Sequence, residues 1–202
     1  MKSHISRSIG ALTLGLFVLA LAACGSTSKL NRTAGTTFSL ADYNTIYVAD
    51  FTDKTPSKIK DEAKLATYRE SVKSAGVTFA DMIGTNVEKI RTPPSVLRAA
   101  PAEGTESSAG KVLRIEGEIT TFERGNALAK MLLPFAGSTK FNATVRFIDQ
   151  ATGEKIGEIV VDKNSSPLGG GIAATQTTNK FMSGAAEKVG EQLAIARNGE
   201  PK

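Results

Sequence analysis

A chain of 202 residues with 41% hydrophobic and 22% charged side chains suffices for one ordinary domain and is apolar enough to fold it. Aromatic residues are sparse at 6% and tryptophan is absent, so the core must rest on Val, Ile, Leu and Ala with a few Phe anchors. The formal charge of +5 includes Lys2 and Arg7 at the extreme amino terminus; without them the surplus falls to +3, too small and too dispersed for a nucleic-acid footprint.

Lys2 and Arg7 form a short positive start, and Ile9 to Ala23 then runs apolar and ends in small residues. These are the three parts of a secretory signal. At about 15 residues the run is too short for a membrane-spanning helix, which needs roughly 20. Its end, Leu21-Ala22-Ala23-Cys24, reads as a lipobox with cleavage between Ala23 and Cys24. Small residues fit the peptidase, and the cysteine thiol takes the diacylglycerol. Each acyl CH2 buried in the bilayer contributes about 0.8 kcal/mol, so several chains make a lasting membrane anchor. Ser26, where an Asp would retain the protein in the inner membrane, directs it to the outer membrane, facing the periplasm. Residues 1–23 are therefore expected to be a removed signal, 24–40 a flexible Ser/Thr/Gly/Asn-rich tether, and 41–198 one folded domain.

Within that domain, Asn44 to Phe51 is rich in β-branched and aromatic residues and reads as a strand. Asp61 to Ile90 reads as one long helix: Leu65, Tyr68, Val72, Ala75, Phe79, Met82, Ile83 and Val87 recur at steps of three and four. Gly76 weakens its middle, and Pro93-Pro94 stops it. That apolar face suits packing on a sheet better than a coiled coil. After a small, polar loop at 99–110, Val112 to Glu123 forms a second strand. Lys140 to Asp149 is the clearest strand, with Phe141, Ala143, Val145 and Phe147 alternating with Asn142, Thr144 and Arg146. Gln150 to Gly153 turns the chain back into Lys155 to Asp162, an antiparallel hairpin. Gln176 to Arg197 closes the domain as a helix, with Phe181, Ala185, Val189 and Leu193 on one side. The expected fold is α/β of the α+β type: two layers, a mostly antiparallel sheet of four to five strands, and two helices on one face.

Chemistry is nearly absent from this inventory. The sole histidine, His4, lies in the signal, and the sole cysteine is the lipidation site. A Ser-His-Asp triad, a Cys-His pair and any His- or Cys-based zinc site are thereby excluded from the mature chain. Glu116, Glu118 and Glu123 could offer a carboxylate pair, but a solvated strand face explains them better. Asp50, Asp53 and Asp61 lack the spacing of a calcium loop. Gly169-Gly170-Gly171 lacks the Lys-Ser/Thr of a phosphate loop. No enzyme, metal or cofactor is expected.

Two stretches stand out. Ala127 to Ala136 is strongly apolar between two strands, and it either closes one end of the core or is exposed for contact with a partner or the bilayer. Ser165 to Thr178 is almost uncharged. Leu128, Met131, Leu132, Leu133, Phe135, Leu168 and Ile172 are the candidate contact residues. If both stretches leave the same end of the sheet, they form a joint interaction surface.

The segments Ile46-Tyr47-Val48-Ala49-Asp50-Phe51, Val112 to Glu123 continuing into Arg124-Gly125-Asn126, Ala136-Gly137-Ser138 and Asp149-Gln150-Ala151-Thr152-Gly153 carry a family likeness. On them the chain resembles a bacterial family known only as domain of unknown function 4410, many of whose members are lipoproteins. The likeness runs from about Tyr43 to the final helix. It departs from the family after Gly125-Asn126, where the basic residues are reduced to Lys130. It implies a lipid-anchored envelope domain and brings no catalytic residues. The function read from the sequence is a non-enzymatic binding or assembly module of the envelope, held by its lipid and meeting an envelope protein. The alternative is a carrier of a small apolar or lipid-like ligand in a groove lined by Phe141 and Phe147.

Overall fold

The computed structural model describes residues 26–33, 39–101, 110–125, 138–165 and 177–198. The strands are β1 (Asn31–Arg32), β2 (Tyr43–Val48), β3 (Thr52–Asp53), β4 (Ser95–Leu97), β5 (Lys111–Glu123), β6 (Lys140–Asp149) and β7 (Lys155–Asn164). The helices are α1 (Glu62–Val87) and α2 (Thr178–Asn198), and a single 3-10 turn, Leu40–Asp42, leads into β2. The strands form one mixed sheet in the order β1-β7-β6-β5-β2-β4, with β3 also paired to β5.

The antiparallel expectation holds for β5-β6-β7 and fails for the other half of the sheet. There, β2 pairs in parallel with both β4 and β5, and β3 pairs in parallel with β5. The reason is the helix between β2 and β4. A crossover as long as α1 carries the chain back along the sheet, so the next strand starts again from the same end. The sheet has seven strands because three of them, at two or three residues each, are too short to show periodicity.

The expected tether is also corrected. Over residues 26–33 the chain lies along β7 as an edge strand: Asn31 pairs with Glu158 and Arg32 with Gly157, and Thr27 bridges Val161. Backbone amides and carbonyls are present whatever the side chains, so a polar Ser/Thr/Asn stretch can complete a sheet edge as well as an apolar one.

One face of the sheet holds the core. Leu113, Ile115 and Ile119 of β5, the four alternating residues of β6, and Ile159 and Val161 of β7 are all buried there. Helix α1 lays Val72, Ala75, Phe79, Ala80, Ile83 and Val87 on this face, and α2 adds Phe181, Met182, Ala185, Val189 and Leu193. Phe79 sits at the centre, fully buried, edge-on to Phe51 at 4.8 Å and to Phe141 at 5.0 Å. Glycines let backbones close on this cluster. A Cβ on Gly76 would lie 2.3 Å from the Phe51 carbonyl oxygen, and one on Gly117 would lie 2.5 Å from the Phe51 ring.

Arginines fasten the ends. Arg98 donates from Nε to Asp81 at 2.8 Å, from Nη2 to Asp50 at 2.6 Å and from Nη1 to the Val48 carbonyl, joining β4, α1 and β2. Arg197, in the last turn of α2, donates to the Leu40 and Tyr43 carbonyls at 3.0 and 2.6 Å and to that of Thr92 at 3.0 Å.

Candidate interaction surface

The proposed cleavage and lipidation residues Ala23 and Cys24 lie outside the described residues, as do Leu128, Met131, Leu132, Leu133, Phe135, Leu168 and Ile172. Their flanking residues are described, and these settle where each segment leaves the fold. Glu123 at the end of β5 pairs with Lys140 at the start of β6, and Lys140 pairs with Asn164 at the end of β7. The stretch after β5 and the stretch after β7 therefore leave the two strands that flank β6, at one end of the sheet. Their bases are stapled together. The Ser165 amide donates to the Thr139 carbonyl at 2.9 Å, and the Thr139 amide donates to Ser165 Oγ at 2.8 Å. Thr139 Oγ1 donates in turn to the Arg124 carbonyl at 3.3 Å. Both hydroxyl residues are buried, so these bonds satisfy polar groups that would otherwise be stranded.

The first described residue comes to the same end. The Asp162 amide donates to the Ser26 carbonyl at 2.8 Å, and Ser28 exchanges two bonds with Val160, each 2.8 Å. Because this edge strand runs antiparallel to β7, the chain preceding Ser26 emerges where β7 ends.

The carboxylates considered for catalysis are neutralised in place. Glu116 and Glu118 do share the open face of the sheet, but Arg114 Nε lies 3.0 Å from Glu116 and Arg146 Nη2 donates to Glu118 at 3.0 Å. The Arg146 hydrogen bond holds the Glu118 carboxyl below the usual carboxylate range. Such a carboxylate is a poor proton donor near neutral pH. Glu123 is paired with Lys140 at 3.2 Å.

The aspartates are structural. Burial pushes the Asp53 carboxyl up, but hydrogen bonds from Thr55 and Arg69 outweigh it and leave it below its ordinary range. Asp50 is bound to Arg98, and Asp61 caps α1 by accepting from the Lys64 amide at 3.0 Å. Asp149 likewise ends below its ordinary range: burial raises it, but the hydrogen bonds from the Tyr43 hydroxyl and the Thr152 and Ala151 amides outweigh that. The Tyr43 hydroxyl, buried and donating to Asp149 at 2.7 Å, is pushed up. Among the described residues no group of three or more His, Cys, Asp or Glu could hold a metal ion. No described helix is long and apolar enough to cross a membrane.

The two residues named for a carried ligand do not line an open groove. Phe141 is fully buried and Phe147 is 1% exposed, both packed under the helices as core. Among the described residues, an open depression of about 490 Å³ lies on α1 between Ala66, Thr67, Glu70, Ser71 and Ser74 and Arg124.

A mixed sheet covered on one side by two helices, with a charged, paired opposite face, defines a two-layer α+β domain. The chain belongs to the family described as "Domain of unknown function (DUF4410)", whose model matches residues 46–169. The match takes in β2 to β7 and stops short of α2. A search of curated proteins finds no match. Among solved structures, the chain is similar to the PelC dodecamer from Paraburkholderia phytofirmans at 10% identity and a TM-score of 0.46, covering 80% of this chain and 98% of that one. It is similar to protein XCC0632 from Xanthomonas campestris at 10% identity and 0.45, covering 81% and 91%. Lipoprotein GNA1162 from Neisseria meningitidis matches at 16% identity and 0.28, covering 60% and 83%. At these scores the likenesses bear on neither function nor assembly.

Proposed function

We propose that the protein is a lipoprotein of the bacterial envelope, anchored through an acylated Cys24 in the outer membrane and facing the periplasm, and that it is a non-enzymatic binding or assembly module. The observation that carries the binding role is the common end of the sheet from which the apolar 126–137 stretch and the 166–176 stretch both leave, stapled at Thr139 and Ser165. One apolar stretch and one almost uncharged stretch leaving the same end of the sheet suit a contact surface. A chain without histidine or thiol after Cys24, and with Glu116 and Glu118 each beside an arginine, supports the absence of a reaction.

In-cell photo-crosslinking from Leu133 and Ile172 tests the role. The expected result is one dominant protein partner captured from both positions, lost on Leu132→Ser with Leu133→Ser while the unfolding temperature stays unchanged. Different partners from the two sites, or collapse of the double variant, would overturn the joint surface.

A further inference from the structure

We propose that the end of the domain bearing Ser26 rests directly on the membrane, its basic rim seated on anionic phospholipid headgroups. This rests on the reading of Cys24 as the lipid anchor, and it specifies how that anchor orients the domain.

The first ground is the length of chain available. A tether running to residue 40 would let the domain drift tens of ångströms from the bilayer. Instead the chain is already bonded to β7 at Ser26, two residues after Cys24. Two residues span at most about 7 Å, so the acylated residue cannot leave this end of the sheet without breaking the pairing at Ser26, Thr27 and Ser28.

The second ground is what else reaches that level. Phe122, Phe141 and Lys163 pair in one row across the sheet, next to the row where Asp162 binds Ser26. Tyr68 of α1 donates to the Phe122 carbonyl at 3.2 Å. Helix α1 begins six residues earlier, so its start reaches up to about 9 Å beyond that row, while Cys24, two residues before Ser26, reaches about 4 Å beyond it. The segment entering it carries three exposed lysines, Lys58, Lys60 and Lys64, the last paired with Asp61 at 3.8 Å, and Asp61 and Glu62 are its acids; Lys54 lies further back, its amide on the Ile119 carbonyl at 2.9 Å. Between Lys58 and Lys60, Ile59 is 37% exposed. Arg124 and Lys180, both exposed, extend the rim.

The third ground is the helices themselves. Both begin at this end and run the same way, for the Thr92 hydroxyl beyond α1 donates to Asn198 at the end of α2. Two helix N-termini add partial positive charge to the lysines. Basic residues beside an anionic leaflet are attracted within about 8 Å at physiological salt, a range the short link to Cys24 imposes. Contacts made by the two stretches would then occur at the membrane surface.

The test uses the full-length chain, purified from membranes and reconstituted in phosphatidylethanolamine–phosphatidylglycerol vesicles. Intact mass first reports whether Cys24 is acylated. With that thiol occupied, Ile59→Cys or Ala151→Cys supplies the one site for a nitroxide label; Ala151 sits in the β6–β7 turn at the far end of the sheet. The expected result is collision with an aqueous nickel complex several-fold lower at 59 than at 151, and collision with oxygen higher at 59. Replacing Lys58, Lys60 and Lys64 by Gln should restore nickel access at 59 several-fold with the circular dichroism unchanged. Equal nickel access at both positions in an acylated protein would overturn the orientation and leave the anchor standing. No response to the lysine changes would overturn the role of the basic rim. An unmodified Cys24 would overturn both the anchor and the orientation built on it.

Discussion

Phe79→Ala is expected to lower the unfolding free energy by about 3–5 kcal/mol. The ring is fully buried and bridges two others, edge-on to Phe51 below β2 and to Phe141 on β6. Its removal opens a cavity between α1 and the sheet and also strips both aromatic contacts, each worth about 0.5–1.5 kcal/mol beyond area. The surroundings cannot collapse inward, because β5 and β6 are held by a long antiparallel ladder from Leu113 to Glu123. Urea unfolding followed by circular dichroism reads the effect. A loss under about 1 kcal/mol would mean that α1 is not seated on the sheet as described.

Gly117→Ala is the second large effect, and one with no cavity at all. The new methyl would stand 2.1 Å from the Thr144 carbonyl oxygen and 2.5 Å from the Phe51 ring. Thr144 is fixed backbone in the neighbouring strand, and the Phe51 ring is held edge-on against Phe79 at 4.8 Å, so neither can yield cheaply. Overpacking of this kind costs about 1–3 kcal/mol, more where backbone must move. The unfolding midpoint should fall accordingly. Gly76→Ala offers a sharp comparison. Helix propensity alone makes alanine better by about 1 kcal/mol, yet its methyl would lie 2.3 Å from the Phe51 carbonyl oxygen. The clash should win, and a stabilised Gly76→Ala variant would show that α1 stands off Phe51.

That glycine shows where the sequence stops being readable. As a position in a helical pattern, Gly76 is merely a weak link; only the fold shows that it admits the Phe51 backbone. What alternation and helical spacing encode is found largely where expected: Phe141 to Phe147 face the core, α2 buries its stripe, and α1 buries Val72, Ala75, Phe79, Ile83 and Val87 while Leu65, Tyr68 and Met82 are half-buried. The turn after β6 is equally plain, with Asp149 accepting the Ala151 and Thr152 amides and Gly153 taking a φ of 71°. Parallel pairing is a different matter. Strands as short as Thr52–Asp53 and Ser95–Leu97 have no period of their own, and their partners are chosen by the path of α1. Likewise nothing in Asn31-Arg32 announces a strand, since only its backbone joins β7.

The candidate surface was half visible. Composition alone singles out the 127–136 and 165–178 stretches, but not that they leave the same end, which depends on the register linking Glu123, Lys140 and Asn164. Nor could composition place Ser26 beside them, because that follows from an edge strand a polar tether was not expected to form.

All of this turns on Cys24, and the most direct measurement is the intact mass of the mature protein extracted from membranes with detergent. The expected species is a chain that begins at Cys24 and carries the added mass of a diacylglycerol and a further acyl chain. A mature chain that begins elsewhere, or an unmodified cysteine, would contradict the lipid anchor.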